Sequence, residues 1–213
     1  MLPYKLYAGK EGGSMIVELA FALTGAPVEI IDVPWEDTGW QSKILAPLNP
    51  LGQVPTLILP DGEVMTESAA MILHLNDRFP EVGLAPAPDH PTRPRFLRTL
   101  LFLVSAIYPT FTYGDVTSRW VGEDEKTGAG KALRESTHEH RKVLYEHLET
   151  QAASPFFLGE AMSAIDLYLW AMVRWRPGRK WHAERCPKLT AIAARVGELP
   201  EAGAVEERNR SDG

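Results

Sequence analysis

The chain has 213 residues, of which 45% are hydrophobic and 23% charged, and a formal net charge of −6. That length suits one large or two small domains with an ordinary buried core, and the acidic balance argues against nucleic acid as the main partner, since phosphate binding needs a basic surface. The lone cysteine, Cys186, excludes an internal disulfide, and no Cys/His set has zinc-site spacing, so neither a metal nor an oxidising compartment is expected.

Residues 4–8 form a β-prone run closed by Gly9. Glu11-Gly12-Gly13-Ser14 opens a segment whose apolar residues, Ile16, Val17, Ala20, Phe21 and Leu23, recur at helical spacing until Gly25 and Pro27 stop it. Residues 28–32 are a second strand, so strand, helix and strand fit in about 30 residues, the size of a βαβ unit. A long connection, residues 34–50, carries Trp35 and Trp40; loops of this length in compact domains are usually functional. Residues 56–59 and 63–66 are strands joined by Pro60-Asp61-Gly62, a hairpin signal, and residues 67–79 are a helix.

Residues 81–94 are Pro-rich and read as an interdomain linker. Beyond them no strand is predicted. Residues 96–108 are helical with a wide apolar face and are interrupted by Pro109; residues 113–130 are irregular and polar. An amphipathic helix covers 131–153, a helix apolar nearly all round covers 163–174, and a final helix covers 187–199, after which a charged tail frays. No stretch approaches the roughly 20 apolar residues of a membrane span, and the first residues lack a signal pattern, so a cytoplasmic chain with no membrane association is expected.

Three segments carry a family resemblance: Asn49-Pro50-Leu51-Gly52-Gln53-Val54-Pro55-Thr56-Leu57, the run from Asp61 through Glu67-Ser68 to Leu75, and Phe157-Leu158-Gly159-Glu160-Ala161-Met162-Ser163-Ala164-Ile165-Asp166. In this order and spacing they resemble the cytosolic glutathione transferase superfamily, in its bacterial form. The resemblance implies an α/β, thioredoxin-like N-terminal domain (βαβ-ββα, residues 1–80), the linker 81–94, and an all-α helical C-terminal domain (95–213) holding an electrophile pocket around Tyr108, Phe111, Tyr113 and Trp120. It also implies a homodimer, in which Trp35 is a candidate docking residue, and a role in detoxification with glutathione as co-substrate and no other cofactor.

The resemblance implies that the Val54-Pro55 bond is cis and that Val54 offers its N–H and C=O to the glutathione backbone as an added strand. Gln53, Val54, Pro55, Glu67 and Ser68 are the expected glutathione-binding residues, Ser68 taking the γ-glutamyl carboxylate at a helix N-terminus and Glu67 facing the ammonium. On the residues alone, Val-Pro also fits an edge turn and Glu-Ser a plain helix cap. Ser163 and Asp166 read as a capping box, not as a catalytic pair.

The residue that meets the sulfur is left among three. Ser14, beside two glycines at the first strand–helix junction, is the first choice as catalytic residue. Serine-type relatives place their serine at Glu11, cysteine-type relatives their thiol at or near Gly13, and tyrosine-type relatives their phenol near Tyr7. Tyr7 and the backbone N–H groups at Gly13 and Ser14 therefore stay as alternatives. The expected reaction is delivery of a glutathione thiolate to an apolar electrophile; a non-catalytic glutathione-binding module and a glutathione-dependent isomerase or dehalogenase are the alternatives.

Overall fold

The computed structural model describes residues 2–39, 41–122 and 128–210; Trp40 lies outside the described residues. In chain order the elements are β1 (Tyr4–Ala8), α1 (Ser14–Thr24), β2 (Val28–Asp32), β3 (Thr56–Ile58), β4 (Val64–Met65), α2 (Ser68–Arg78), α3 (Arg93–Phe102), α4 (Tyr108–Asp115), α5 (Ser118–Val121), α6 (Ala129–Gln151), α7 (Ala164–Met172), α8 (Arg179–Arg185), α9 (Pro187–Gly197) and α10 (Pro200–Asn209). The chain divides into two compact units: Met1–Ala85 with Arg195–Gly213, and Pro86–Ala194.

The first unit is built on a sheet of order β2-β1-β3-β4. β1 runs parallel to β2 and antiparallel to β3, and β3 pairs antiparallel with β4. The strand alternation holds: Tyr4, Leu6 and Ala8 are buried, while Lys5 faces the other way and pairs with Glu29, its register partner, at 3.6 Å. Tyr4 meets Phe21 of α1 edge to face at 5.2 Å, so the buried face of β1 is the α1 face.

α1 is buried along its whole first half, Glu18 included at 2% exposure, because α10 covers the side that its periodicity would leave to solvent. Here the expectation of a fraying tail is corrected. Residues 200–209 are helical and bury Ala202, Val205 and Asn209 against α1. Arg208 donates to Glu18 Oε1 and Oε2 at 2.6 and 2.7 Å and to Asp32 Oδ1 at 2.7 Å. A buried carboxylate needs such a counter-ion, and it comes from a stretch whose charged composition reads as solvated. The second domain therefore does not run to residue 213: the chain returns to the first unit from Arg195 onwards.

Among its described residues the regular elements of the second unit are all helices, apart from one isolated bridge, Phe156 to Gly159. Pro109 does not end the first long helix. Residues Leu103–Ile107 widen into a π-helical turn and the chain continues as α4. Proline lacks the N–H and crowds the carbonyl four residues back; an expanded turn relieves both. The fused helix, Arg93–Asp115, is by length and composition long enough and apolar enough to cross a membrane, with 39% of its most apolar window buried. That corrects the expectation that no segment approaches such a length; α3 packs on α7 and α4 on α6. Sequence periodicity also missed the short α8. At α7 the capping box forms as expected: Asp166, fully buried, accepts the Phe157 N–H at 2.8 Å and the Ser163 N–H at 2.7 Å.

Candidate functional site

One end of the sheet gathers the chemistry. Tyr7 pairs with Thr56, so one step past β1 and two before β3 the register sets Gly9 opposite Val54; Leu57 pairs with Met65, so β4 leads into α2 at the same end of the sheet. The close approach is direct: a Cβ on Gly9 would lie 3.0 Å from Val54 Cγ2. Three segments distant in sequence, residues 9–14, 53–55 and 67–68, thus meet at one edge of the first unit.

Val54-Pro55 is cis, and neither the N–H nor the C=O of Val54 bonds to a described residue. The turn before it is internally braced. Asn49, 4% exposed, donates through Nδ2 to the Gln53 carbonyl at 3.2 Å and to Thr56 Oγ1 at 3.1 Å, and accepts the Leu51 N–H at 3.1 Å. Gln53 itself is exposed, its carbonyl also taking the Thr56 hydroxyl at 2.7 Å. Gly52 sits at φ 61 with its carbonyl bonded to the Gly39 N–H, so close to Gly39 that a Cβ would be 1.7 Å from the Gly39 oxygen. Asn49 and Gly52 are organising residues that the sequence reading left unassigned; the turn-forming habits of Asn and Gly were the signal available.

Glu67 is exposed and precedes α2 at φ 66, ψ 104. That left-handed region is costly for a residue with a Cβ, about 1–3 kcal/mol, and such outliers gather at ligand clamps. It is followed by Ser68, half-buried at the first position of α2. The helix N-terminus supplies orphan N–H donors and a positive partial charge there.

The glycine loop opposite is held from both ends. Ser14 is 0% exposed and its Oγ accepts the Gly9 N–H at 3.1 Å. The hydroxyl is thus a buried anchor for the loop. Glu11, exposed at φ 59, donates its N–H to Asn209 Oδ1 at 3.1 Å. The N–H groups of Gly12, Gly13 and Ser14 have no acceptor among the described residues. Tyr7 is half-buried, its phenol on the sheet face turned away from α1. Trp35 lies on its own loop: a Cβ at Gly12 would stand 2.7 Å from the indole, and Nε1 donates to the Lys10 carbonyl at 3.0 Å. The residue remains 54% exposed.

In the second unit the aromatics around Pro109 fall into two groups. Tyr108 and Phe111 meet Trp175 edge to face at 5.8 and 5.3 Å, and Phe111 lies under Arg141 at 3.6 Å. Burial, aided by Asp115, pushes the Tyr108 phenol up to about 12. Tyr113 and Trp120 form a separate, exposed pair at 4.7 Å. Nearby, Arg174 lies over Trp170 at 4.4 Å and the exposed Arg176 pairs with Asp115 at 2.6 Å. A groove of about 510 Å³ between α6 and α8 is lined by Glu139, Lys142, Glu146 and Arg185 among others, a charged lining unlike that expected for an apolar electrophile.

Comparison with known proteins gives this edge its context. The glutathione S-transferase N-terminal domain family matches residues 14–78 and the C-terminal domain family residues 115–204. The chain is 39% identical over 207 residues to the GST-like protein YncG of Escherichia coli, covering 96% of this chain and 98% of that protein. The chain belongs to the glutathione S-transferase family. Among its family relatives is a probable maleylacetoacetate isomerase of Caenorhabditis elegans, 34% identical, with 92% of this chain and 89% of that protein covered. The glutathione S-transferase of a sphingomonad, solved with glutathione, superposes with a TM-score of 0.77 at 28% identity, covering 96% of this chain and 98% of that one.

Proposed function

We propose that this family member is a glutathione transferase that binds glutathione along the edge formed by residues 9–14, 53–55 and 67–68. The observation that carries the reading is the backbone N–H and C=O of Val54, unpaired among the described residues, at the end of the sheet where the glycine loop and the start of α2 also lie. An extended tripeptide adds there as one more strand segment. Its γ-glutamyl carboxylate meets Ser68 and the α2 N-terminus, and its ammonium faces the exposed Glu67 carboxylate.

This places the cysteinyl sulfur toward the glycine loop. The N–H groups of Gly12 to Ser14, at the positive end of α1, stabilise a thiolate there; a free thiol has a pKa of ~8.5, and the first unit of depression raises the thiolate fraction at neutral pH roughly eightfold. Ser14 serves this step by fixing Gly9, and backbone donors replace the side-chain hydroxyl as the sulfur's partner. The thiol proton leaves to water, the sulfur forms a bond to the electrophilic carbon, and the leaving group departs with its electron pair. Proximity supplies the remainder of the rate. The protein works as a homodimer in the cytoplasm, in detoxification of apolar electrophiles, with no membrane or nucleic-acid partner.

Calorimetry with glutathione, followed by turnover of a dinitrohalobenzene, tests the reading; no glutathione binding at millimolar concentration overturns it. The isomerase relative supports a second reading on the same site, in which the thiolate adds to a maleyl double bond, the bond rotates, and the thiolate leaves again unchanged. Glutathione-dependent cis–trans isomerisation of a maleyl compound, without turnover of aryl halides, distinguishes it.

A further inference from the structure

We infer that Asn209, near the C-terminal end of α10, is a positioning residue for the glycine loop and thereby sets the acidity of the bound thiol. This rests on the assignment of that loop to the glutathione sulfur. Asn209 is 2% exposed and uses its whole amide. Nδ2 donates to Glu18 Oε2 at 2.9 Å and to the Val205 carbonyl at 3.0 Å, and Oδ1 accepts the Glu11 N–H at 3.1 Å. The first two bonds fix the orientation of the amide, so its oxygen can only face the loop.

The loop needs that oxygen. Glu11 stands at φ 59, a conformation that L residues other than Asn and Asp seldom adopt. The residue that holds it there lies 198 positions along the chain. Ser14 ties the Gly9 N–H at the other end of the loop. With the amides of Gly9 and Glu11 both occupied by the protein, those of Gly12, Gly13 and Ser14 are left for a ligand. A loop fixed at both ends presents dipoles that need no reorganisation when the sulfur ionises, and such preorganisation gives backbone donors their leverage. Releasing Glu11 lets the three donors wander while the tripeptide's other anchors, Val54, Glu67 and Ser68, stay in place.

The test compares Asn209→Ala with Val205→Ala, a packing loss in the same helix that leaves the amide contacts alone. Two readouts are taken: amide hydrogen exchange of residues 9–14 without ligand, and the thiolate absorbance of the glutathione complex against pH. Asn209→Ala is expected to speed exchange in residues 9–14, to raise the bound thiol pKa by about one unit, and so to lower kcat/KM near neutral pH about three- to eightfold, the rate recovering in alkali. Glutathione affinity should change less than threefold. Val205→Ala should lower the melting temperature without either effect. Wild-type exchange and titration in Asn209→Ala, or the same changes in Val205→Ala, overturn the inference. Failure of the wild-type chain to bind glutathione overturns the assignment of the site instead, and the exchange data then still decide whether Asn209 holds the loop.

Discussion

Asp166 offers the sharpest test of how the second unit is held. Its side chain is fully buried, and its carboxylate accepts two backbone N–H groups, from Phe157 at 2.8 Å and Ser163 at 2.7 Å, with the Ser163 hydroxyl at 3.2 Å. Hydrogen bonds to a charged acceptor contribute about 1.5–3 kcal/mol each, so the two backbone bonds supply about 3–6 kcal/mol. Burial opposes them and prevails in the ionisation, raising the carboxyl from 3.8 to about 6. Removing the group also removes that desolvation cost, so Asp166→Ala should lose about 2–4 kcal/mol, a fall of roughly 5–15 °C in melting temperature for a chain of this size.

The same residue has a pH signature of definite sign. A carboxyl whose folded pKa lies above its unfolded value takes up its proton more readily in the folded state, so its ionisation costs stability above about pH 6 and the cost is relieved as pH falls toward 3.8. Between about pH 7.5 and pH 5 the relief is about 1 kcal/mol. His182, which burial holds below its usual range, acts in the opposite sense, losing stability as pH falls. It cancels when wild type is compared with Asp166→Asn across that window. The stability gap between the two should widen on acidification. A melting temperature unchanged in Asp166→Ala refutes the capping account; a gap that stays constant or narrows refutes the ionisation account.

Gly52→Ala should cost at least about 2 kcal/mol and weaken glutathione binding together, because the new Cβ meets the Gly39 carbonyl at 1.7 Å and the turn carries Val54; a wild-type melt would contradict this. Ser68→Ala should weaken glutathione by roughly 10- to 100-fold in calorimetry while the fold survives, and unchanged affinity would remove Ser68 from the carboxylate. Light scattering at micromolar concentration should give about twice the 23.7 kDa of one chain, and a clean monomer would count against the homodimer.

Much of the first unit was legible because its signals are local. Residues 4–8 alternate, Gly25 and Pro27 stop a periodic helix, and Pro60-Asp61-Gly62 turns a hairpin; each acts through backbone geometry within a few residues. The Ser163–Asp166 box could be read for the same reason, since cap residues announce themselves by type and spacing; the segments around Val54 and Ser68 stood out only through the family resemblance, because on the residues alone they also fit an edge turn and a plain cap. The widened turn before Pro109 could not, since a proline inside an apolar run ends a helix unless packing on both sides favours its continuation, as α6 and α7 do here.

What only the tertiary structure decided lies in contacts between distant stretches. Glu11 reads as a loop residue until Asn209, 198 positions along the chain, accepts its N–H. That Trp35 rests on Gly9 and Gly12 is likewise decided by the fold, since nothing in either segment announces the contact. Residues 200–209 look like a charged tail because Arg208 and Asn209 are polar, and composition assigns polar residues to solvent. They are held on α1 because Glu18, on the exposed side of α1 by periodicity, sits where a cation and an amide can complete it. Pairwise complementarity of that kind has no signature in either segment alone: the sequence holds both halves of the contact, and folding brings residue 209 to residue 11.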